Sequence, residues 1–340
     1  MHISELDYDL PSELIAQEPA RPRDSSRLLV LDRASGHIEH ACFRDLIQYL
    51  QSDDVVVLND TRVIRARLRG RRQPGGGKAE ILLLAQHSES DWEALVTPGR
   101  RMPPGRRIVF GDGSLCAEIL ERTPGGGRLL RFSSAGDLST EIGHAGEMPT
   151  PPYIHRPIDQ DEDYQTVYAS APGASAAPTA GLHFSPAILD AVRTRVSAVL
   201  TITLHVGLGT FRPIHTERVE DHDMHAESYS ISQDAADTIS QAVAGGKRIV
   251  AVGTSTARAL EAASTEDGVI SGEAATKLFI LPGYDFRIVG ALLTNFHLPR
   301  STLLALIYAF AGRDNVVRAY RDAIDQKYRF LSFGDAMFIT

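Results

Sequence analysis

The chain has 340 residues, of which 43% are hydrophobic and 23% charged, and its formal net charge is −8 at pH 7. This composition is that of an ordinary soluble globular protein with room for two domains and a sizeable core. Its two cysteines, Cys42 and Cys116, lie far apart, which argues against a disulfide framework and suits a reducing cytosol. We expect no signal peptide and no membrane span, because the N-terminus lacks basic and apolar segments and the longest apolar run, 303–311, is short.

Residues 1–60 show α/β patterning. A proline and an acidic residue near the start of 10–16 predict a short helix. Two strand-like runs, 27–31 and 37–43, flank a turn and predict a hairpin. The amphipathic segment 44–51 predicts a second helix, and the apolar run 55–58 predicts a buried strand.

From residue 61 to residue 131 the pattern changes to short strands separated by glycine-rich turns. The predicted strands are 63–68, 79–84, 92–96, 107–110, 116–120 and 128–132. Strands at this spacing with no helical period between them predict a small antiparallel barrel. Because α/β patterning resumes afterwards, we expect the barrel to be an insertion.

Charge also separates the barrel segment from the rest of the chain. Residues 61–131 hold fourteen Arg and Lys and seven Asp and Glu, a net charge of +7 in a chain whose total is −8. One basic module in an acidic protein indicates a polyanionic partner. Four arginines recur with a period of two, which on a strand would place them on one face: Arg65, Arg67, Arg69 and Arg71. Because like charges repel, we favour phosphate contacts over a merely solvated face.

The stretch 178–227 brings histidines close to glycines and to the ends of apolar runs. A helix-like segment, 186–195, precedes an alternating, β-branched strand over 197–206. Open α/β sheets bind ligands at the carboxyl ends of their strands, so His205 would lie at such a site. With a pKa of about 6.5, a histidine there can give or take a proton near neutrality.

Each histidine alone is as readily a structural or exposed group. A metal site is a competing hypothesis, although the histidines lack the i, i+4 spacing of a helical zinc site and neither cysteine lies near them.

Beyond residue 227 helices and strands alternate. The predicted helices are 233–244, 259–264, 301–310 and 316–327, and the predicted strands are 247–252, 276–281, 288–293 and 336–339. Gly253, Thr254 and Ser255 connect a strand to a helix, which is typical of an anion site at a helix N-terminus. Plain N-capping by the hydroxyl groups is the alternative.

Several segments, in one order, resemble a known family. They are Asn59–Ile64, Gly76–Glu80, Pro151–Ile154, Tyr164–Tyr168, Pro178–Phe184, Thr203–Gly207, Val252–Thr254, Leu293–Pro299 and Gly334–Thr340. Over nearly its whole length the chain is similar to the S-adenosylmethionine:tRNA ribosyltransferase-isomerases of queuosine biosynthesis. The resemblance implies an α/β fold, a discontinuous α/β/α sandwich of residues 1–60 and 155–340, with an inserted basic β-barrel domain of residues 61–154. Asp60, Arg65 and Arg300 depart from the family pattern, which has Asn, Pro and Glu there.

The resemblance also implies a reaction with S-adenosylmethionine as co-substrate and with no metal or redox cofactor. The ribosyl part moves to the 7-aminomethyl-7-deazaguanine (preQ1) base at the tRNA wobble position and rearranges, giving epoxyqueuosine and releasing adenine and methionine. A base must remove a C5′ proton made acidic by the sulfonium, and an acid must assist the departure of adenine. The catalytic residues expected for this work are His183, His205, His225 and His297, with Glu227 orienting an imidazole.

The expected contacts to S-adenosylmethionine or to the modified base are Thr179, Gly181, Phe184, Gly207, Gly253, Thr254, Ser255, Thr294, Asn295 and Phe296. Among them, Thr254, Ser255 and Asn295 would hold the methionine carboxylate or the ribose hydroxyls. Phe184 and Phe296 would stack on a base, or simply pack in the core. The expected tRNA contacts are Arg62, Arg65, Arg67, Arg69, Arg71, Arg100 and Arg101.

We expect a cytosolic monomer. On sequence alone two other classes stay open. One is a metal-dependent hydrolase that uses the same histidines, and the other is a non-catalytic RNA-binding protein whose basic barrel is its whole function.

Overall fold

The computed structural model describes residues 1–123, 126–207 and 213–340. The chain divides into two compact units, the first made of residues 1–61, 152–171 and 178–340 and the second of residues 62–151 and 172–177. The sequence prediction gave the barrel domain as residues 61–154 and did not include residues 172–177, which belong to the second unit. The predicted fold class, an α/β domain with an inserted antiparallel barrel, is confirmed.

In chain order, the first strands are β1 (Arg27–Leu31), β2 (Ile38–Cys42), β3 (Val55–Asn59), β4 (Thr61–Val63), β5 (Arg67–Gln73), β6 (Lys78–Gln86), β7 (Asp91–Thr97), β8 (Arg107–Phe110), β9 (Leu115–Arg122) and β10 (Arg128–Ser134). They are followed by β11 (Gly146–Glu147), β12 (Ala171–Ala174), β13 (Ala198–Leu204), β14 (Glu227–Ile231), β15 (Ile249–Val252), β16 (Ser264–Thr265), β17 (Gly268–Val269), β18 (Gly272–Thr276), β19 (Ala291–Asn295) and β20 (Ala336–Ile339).

The α-helices are α1 (Leu138–Ala145), α2 (Pro186–Arg195), α3 (Gln233–Ala244), α4 (Thr254–Ala262), α5 (Thr302–Ala311) and α6 (Arg313–Asp325). Short 3₁₀ helices cover Ile3–Leu6, Ser12–Leu14, Arg23–Ser25, Phe43–Tyr49, Gly99–Arg101, Asp161–Tyr164, Thr179–His183 and Val219–Asp221. Within the described residues no helix is long and apolar enough to cross a membrane.

A nine-stranded mixed sheet forms the centre of the first unit, in the order β18-β14-β13-β3-β15-β19-β20-β1-β2. Strands β13, β3, β15 and β19 are mutually parallel neighbours. Strands β3, β15 and β19 are buried along their whole length, as expected for apolar runs in a parallel sheet that is covered on both faces. Because the four strands are parallel, their carboxyl ends meet at one edge of the sheet.

The second unit is a barrel. Its strands pair in the order β5-β6-β7-β10-β9-β8, and β8 pairs back to β5, so the sheet is closed. Strand β11 adds to the start of β5. Alternate residues point inward and form an apolar core that includes Leu68, Ile81, Ile108 and Phe132. The six predicted barrel strands therefore exist, but the first one is displaced.

That first strand, predicted over 63–68, is wrong in its bounds. The chain forms β4 and then β5, and Arg65 lies between them. Only Arg67, Arg69 and Arg71 therefore share one face of a strand. The premise of a stripe of four arginines is incorrect for Arg65.

Two strands predicted after α4 are also displaced. The strand expected over 276–281 ends at Thr276, whose hydroxyl accepts the Leu278 amide at 3.0 Å and so diverts the chain from the sheet. The strand expected over 288–293 begins only at Ala291. The amides of Ile288 and Val289 donate to the buried Glu261 carboxylate at 3.0 and 2.9 Å instead of to a neighbouring strand.

Helix predictions differ mainly in type and length. The helices expected over 10–16 and 44–51 are the 3₁₀ helices Ser12–Leu14 and Phe43–Tyr49. The helix expected over 259–264 starts five residues earlier, at Thr254. Helix α1 was not predicted from the sequence. Its N-cap is Asp137, whose carboxylate accepts the Thr140 amide.

Candidate active site at the carboxyl edge of the parallel strands

Asn59 joins three elements at the carboxyl edge of the sheet. It is the last residue of β3 and is fully buried. Its amide nitrogen donates to the Leu204 carbonyl at 2.9 Å and to Ser255 Oγ at 3.2 Å, while its Oδ1 accepts the Leu204 amide at 3.0 Å. One side chain therefore fixes the ends of β3 and β13 and the first turn of α4.

His205 follows β13 at this edge. Its Nδ1 lies 2.8 Å from Oγ1 of the fully buried Thr61, which fixes the plane of the ring. The imidazole is half-buried, and Thr61 occupies one ring nitrogen only. A histidine held in this way can use Nε2 as a proton acceptor.

The Asp60 carboxylate is the charged group next to His205. It accepts hydrogen bonds from Thr203 Oγ1 and from Ser170 Oγ, each at 2.7 Å. Burial lowers the pKa of His205 below its ordinary value of 6.5, and the negative charge of Asp60 raises the pKa in the opposite direction. The net lowering keeps the imidazole neutral at neutral pH, which is the form a general base requires.

The N-terminus of α4 lies at the end of β15. Gly253 is the N-cap residue and has φ +94°, a conformation that favours glycine. It offers no side-chain cap to the first turn. Thr254 is buried and Ser255 is half-buried beside Asn59, so the backbone N–H groups of this turn and the Ser255 hydroxyl form a donor set for an anion.

Glu227, at the start of β14, is buried together with Arg258 of α4. Its Oε2 forms an ion pair with the Arg258 guanidinium, and its Oε1 accepts the Gly207 amide at 3.1 Å. Arg258 Nε also donates to the Leu278 carbonyl at 3.1 Å. These contacts give Glu227 a bond to the backbone at Gly207, and its predicted role in orienting an imidazole stays a prediction.

His183 lies in a different hydrogen-bonded group. Its Nδ1 is 2.8 Å from Ser26 Oγ and its Nε2 is 3.1 Å from the Asn295 amide nitrogen. Thr179 Oγ1 donates to Asn295 Oδ1 at 2.8 Å and completes the chain of hydrogen bonds. The ring is 4% exposed, and burial lowers its pKa to about 3. With both nitrogens occupied, His183 is suited to holding the loop in place.

His297 is also buried. Its Nε2 lies 2.8 Å from Thr294 Oγ1, and its backbone amide donates to the Tyr320 hydroxyl at 3.0 Å. Burial lowers its pKa to about 3, so it is neutral throughout the physiological range. The predicted catalytic roles of His183 and His297 stay predictions, but their contacts favour a structural role.

His225 is exposed, in the loop before β14. It lies near His222, whose pKa is lowered by burial and further lowered by the charge of His225. The hydrogen-bond partners of His183, Ser26 and Asn295, are not those of His205, and His183 and His297 bond the successive residues Asn295 and Thr294 of β19. In residues 1–123, 126–207 and 213–340, no group of three or more His, Cys, Asp and Glu side chains is arranged to hold a metal ion.

Both phenylalanines considered for base stacking are fully buried. Phe184 packs edge-on against Phe43 in the core, and Phe296 packs among Tyr320, Tyr328 and Phe330. Their faces are occupied by protein, which supports the packing alternative.

Gly181 is closely packed against its protein neighbours, and its predicted contact with a ligand stays a prediction. A Cβ at this position would lie 2.0 Å from the Tyr168 hydroxyl oxygen and 2.8 Å from Thr166 Cγ2. The motifs 164–168 and 178–184 therefore pack directly against each other.

The predicted tRNA-binding arginines all belong to the second unit. Arg100 and Arg101 are exposed on a 3₁₀ helix, and Arg65 is exposed before β5. Arg69 is paired with Glu80 at 3.4 Å and with Glu147 at 3.0 Å. Arg67 lies 3.8 Å from Glu80 and donates to the Thr150 carbonyl at 2.9 Å. Arg62 is half-buried, and Arg71 is exposed.

Sequence reasoning did not assign roles to several residues of this edge: Asn59, Thr61, Ser170, Thr203 and Arg258. Asn59 did have a usable signal, because it is a polar residue that directly ends an apolar run. Arg258 also had one, since it is a charged residue on a helix whose flanking positions are apolar or small. The contacts of Ser170 and Thr203 with Asp60 depend on chain segments more than one hundred residues apart.

A polar cluster at the carboxyl edge of parallel strands is where α/β enzymes bind their substrates. The family model described as queuosine biosynthesis protein matches residues 3–339. A relative from Symbiobacterium thermophilum, named S-adenosylmethionine:tRNA ribosyltransferase-isomerase, is 53% identical over 340 residues and covers 100% of both chains. Relatives of the same name from Moorella thermoacetica and Caldanaerobacter subterraneus are 52% and 51% identical, each with 100% of both chains covered.

A crystal structure of S-adenosylmethionine tRNA ribosyltransferase from Thermotoga maritima is 39% identical, with a TM-score of 0.56 over 99% of this chain and 100% of that chain. The chain therefore belongs to the S-adenosylmethionine:tRNA ribosyltransferase-isomerase family of queuosine biosynthesis proteins. It is an enzyme of the transferase and isomerase class.

Proposed function

We propose that this enzyme transfers the ribosyl part of S-adenosylmethionine to a 7-aminomethyl-7-deazaguanine base at the wobble position of tRNA. The ribosyl unit rearranges to an epoxycyclopentane, which yields epoxyqueuosine, and adenine and methionine are released. Membership of the family supports this proposal. The structural observation that carries it is the half-buried His205, held by Thr61 through Nδ1 at the carboxyl edge of the parallel strands.

His205 is the base in this proposal. The sulfonium acidifies the C5′ protons of the substrate, and Nε2 of the neutral imidazole accepts one of them. The resulting imidazolium is stabilised by the nearby Asp60 carboxylate, whose charge favours the protonated ring. The proton then becomes available for return to a leaving group, as general acid–base catalysis requires.

The donor set at the start of α4 would hold the methionine carboxylate. The carboxylate would be placed at the positive end of the helix, near the N–H groups of Thr254 and Ser255. The Ser255 hydroxyl accepts from Asn59 and keeps its own proton for donation. The Asn295 amide is committed to Thr179 and His183, so it is a less available contact than Ser255.

The second unit would bind tRNA through its basic surface. Its segment 61–131 has a net charge of +7, which suits a phosphate backbone. S-Adenosylmethionine is the co-substrate, and the proposed chemistry assigns all proton transfers to side chains of the first unit.

Incubation with S-adenosylmethionine and tRNA that carries the precursor base tests the proposal. We expect adenine and methionine to be released in equal amounts and the tRNA nucleoside to gain the mass of the rearranged ribosyl unit. The control is the same tRNA with guanine at the wobble position, which lacks the nucleophilic amine and should yield neither product. Absence of adenine release with the modified tRNA would overturn the proposed reaction.

A further inference from the structure

A groove of about 990 Å³ lies on the second unit beside the β5–β6 hairpin. Its charged lining residues are Arg69, Arg71, Arg72, Lys78 and Glu80. Four positive groups and one negative group give the lining a clear excess of positive charge. The ends of β7 and β8 complete the walls with Thr97, Pro98 and Val109.

The strand register explains how the groove is built. Arg71 lies directly opposite Lys78 in the β5–β6 pair, and Val109 lies opposite Arg71 on the other side, in β8. Residues opposite each other in an antiparallel pair have Cβ atoms about 5 Å apart, and like charges there destabilise the pair. Both side chains are exposed.

Neither member of this pair is neutralised. In the described part of the chain, the Lys78 ammonium has no ion pair or hydrogen bond, and the Arg71 guanidinium has one long hydrogen bond, 3.4 Å, to the Gly76 carbonyl. Arg72 Nε likewise reaches the hairpin backbone at Gly77 O, 3.4 Å away. Arg71 and Lys78 therefore lie opposite each other without a carboxylate paired with either, whereas Arg72, the next residue of β5, belongs to the alternate face of the strand.

Three other cross-strand arginines of the barrel lie opposite a carboxylate. Arg69 lies opposite Glu80, Arg107 opposite Glu118 and Arg131 opposite Asp91, at 3.4, 3.0 and 2.8 Å.

A second like-charge register, Arg122 opposite Arg128, is relieved differently. Arg128 is buried and donates to the carbonyls of Met102, Gly126, Gly127 and Gly99. The Arg71–Lys78 pair has neither form of relief.

We propose that this groove is a phosphodiester subsite, in which Arg71 and Lys78 flank one backbone phosphate of the tRNA. The inference rests on the proposed function for the identity of the RNA. A phosphate between the two cations supplies the missing negative charge, and the planar guanidinium and the compact ammonium both donate to its oxygens. Arg67 and Arg69 contribute less, because Glu80 and Glu147 already neutralise them.

The first test removes the pair. The Arg71→Ala/Lys78→Ala enzyme is compared with Arg107→Ala/Arg131→Ala, which loses the same net charge from the same barrel. Binding of the precursor tRNA is measured over a series of salt concentrations. We expect the first variant to bind roughly tenfold more weakly, with a log–log salt slope reduced by about one, and the control to keep the wild-type slope. Equal behaviour of the two variants would overturn the subsite.

The second test uses Lys78→Glu, which places a carboxylate opposite Arg71. This variant should unfold at the same or a higher temperature than wild type, because a like-charge pair becomes an ion pair. It should nevertheless lose tRNA affinity at least as strongly as the double variant. Retention of wild-type affinity by a folded Lys78→Glu enzyme would refute the subsite independently of any defect in folding.

Two further measurements distinguish failure of the subsite from failure of the proposed reaction, and an RNA site from a site for free phosphate. If wild type binds the tRNA through the groove but releases no adenine, the proposed reaction fails and the subsite stands. If wild type releases adenine and the pair variants keep the wild-type KM for tRNA, the subsite fails and the reaction stands. Titration with inorganic phosphate tests the ion alone. Saturation by phosphate with no competition against tRNA would overturn the RNA assignment.

Discussion

Thr61 Oγ1 and His205 Nδ1 lie 2.8 Å apart, which couples the start of β4 to the residue that follows β13. The two residues are far apart in sequence, and Asn59 holds the same two segments together through its bonds to Leu204. The hydrogen bond fixes the ring and assigns Nδ1 to the protein, so Nε2 is the nitrogen that can work on substrate.

Replacement of His205 by Ala should reduce turnover by at least ~100-fold, because it removes the proposed base. The measurement is adenine release at saturating S-adenosylmethionine and tRNA. His37→Ala is the control, since that side chain is 67% exposed and paired only with Glu39 among the described residues. Turnover within a few-fold of wild type in the His205 variant would exclude it as the base.

Asp60→Asn should move the acidic limb of the pH–rate profile to lower pH. The acidic limb reports protonation of His205. Burial lowers the pKa of His205 from 6.5, and the negative charge of Asp60 opposes part of that lowering. Loss of that charge leaves burial unopposed, so the pKa falls further and the neutral base persists to lower pH.

The profile is measured as kcat against pH in both enzymes. Ser170→Ala serves as control, because it removes a hydrogen bond to Asp60 but keeps the carboxylate. An acidic limb that moves to higher pH in Asp60→Asn would contradict the assignment.

Gly181→Ala should lower the free energy of unfolding by about 1–3 kcal/mol, the usual cost of overpacking a core. The new methyl group would lie 2.0 Å from the Tyr168 hydroxyl oxygen. Tyr168→Phe removes that oxygen, so the double variant should recover part of the loss in chemical denaturation. No recovery in the double variant would show that the clash is not with the hydroxyl group.

Stability should rise with pH between about pH 3 and 6.5 because of His183 and His297. Burial lowers the pKa of each to about 3, whereas in the unfolded chain the value is near 6.5. In that window the unfolded state binds more protons than the folded state, so the free energy of unfolding increases with pH and levels off above about 6.5. In the middle of this window each group contributes a slope of roughly 1 kcal/mol per pH unit, the value for one bound proton.

Urea denaturation at several pH values measures this slope. His183→Asn removes one titrating group, so its slope below pH 6.5 should be smaller than that of wild type even if its overall stability is lower. His37→Ala again provides the matched control, as an exposed histidine. An unchanged slope in His183→Asn would mean that His183 is protonated in the folded state.

The sequence by itself determined the division into an α/β domain and an inserted barrel. Local patterns suffice for this. Continuous apolar runs such as 55–58 and 249–252 are typical of buried parallel strands, and glycine-rich turns separate the short strands of the barrel. The connection of β15 to α4 through Gly253, on which the predicted anion site at Thr254 and Ser255 rests, could likewise be read locally, since a strand, a glycine and a helix start occur within a few residues. The position of His205 at a strand end followed from the same kind of pattern.

Only the tertiary structure decided which polar residues share a site. Thr61, Ser170 and Thr203 meet His205 and Asp60 through contacts between distant segments, which no local period encodes. The same holds for His183, which sequence reasoning grouped with His205 and which the fold buries between Ser26 and Asn295. Which charged side chains oppose each other in the barrel was also decided by the tertiary structure. Arg69 faces Glu80 while Arg71 faces Lys78, because the register of β5 and β6 sets which side chains oppose each other.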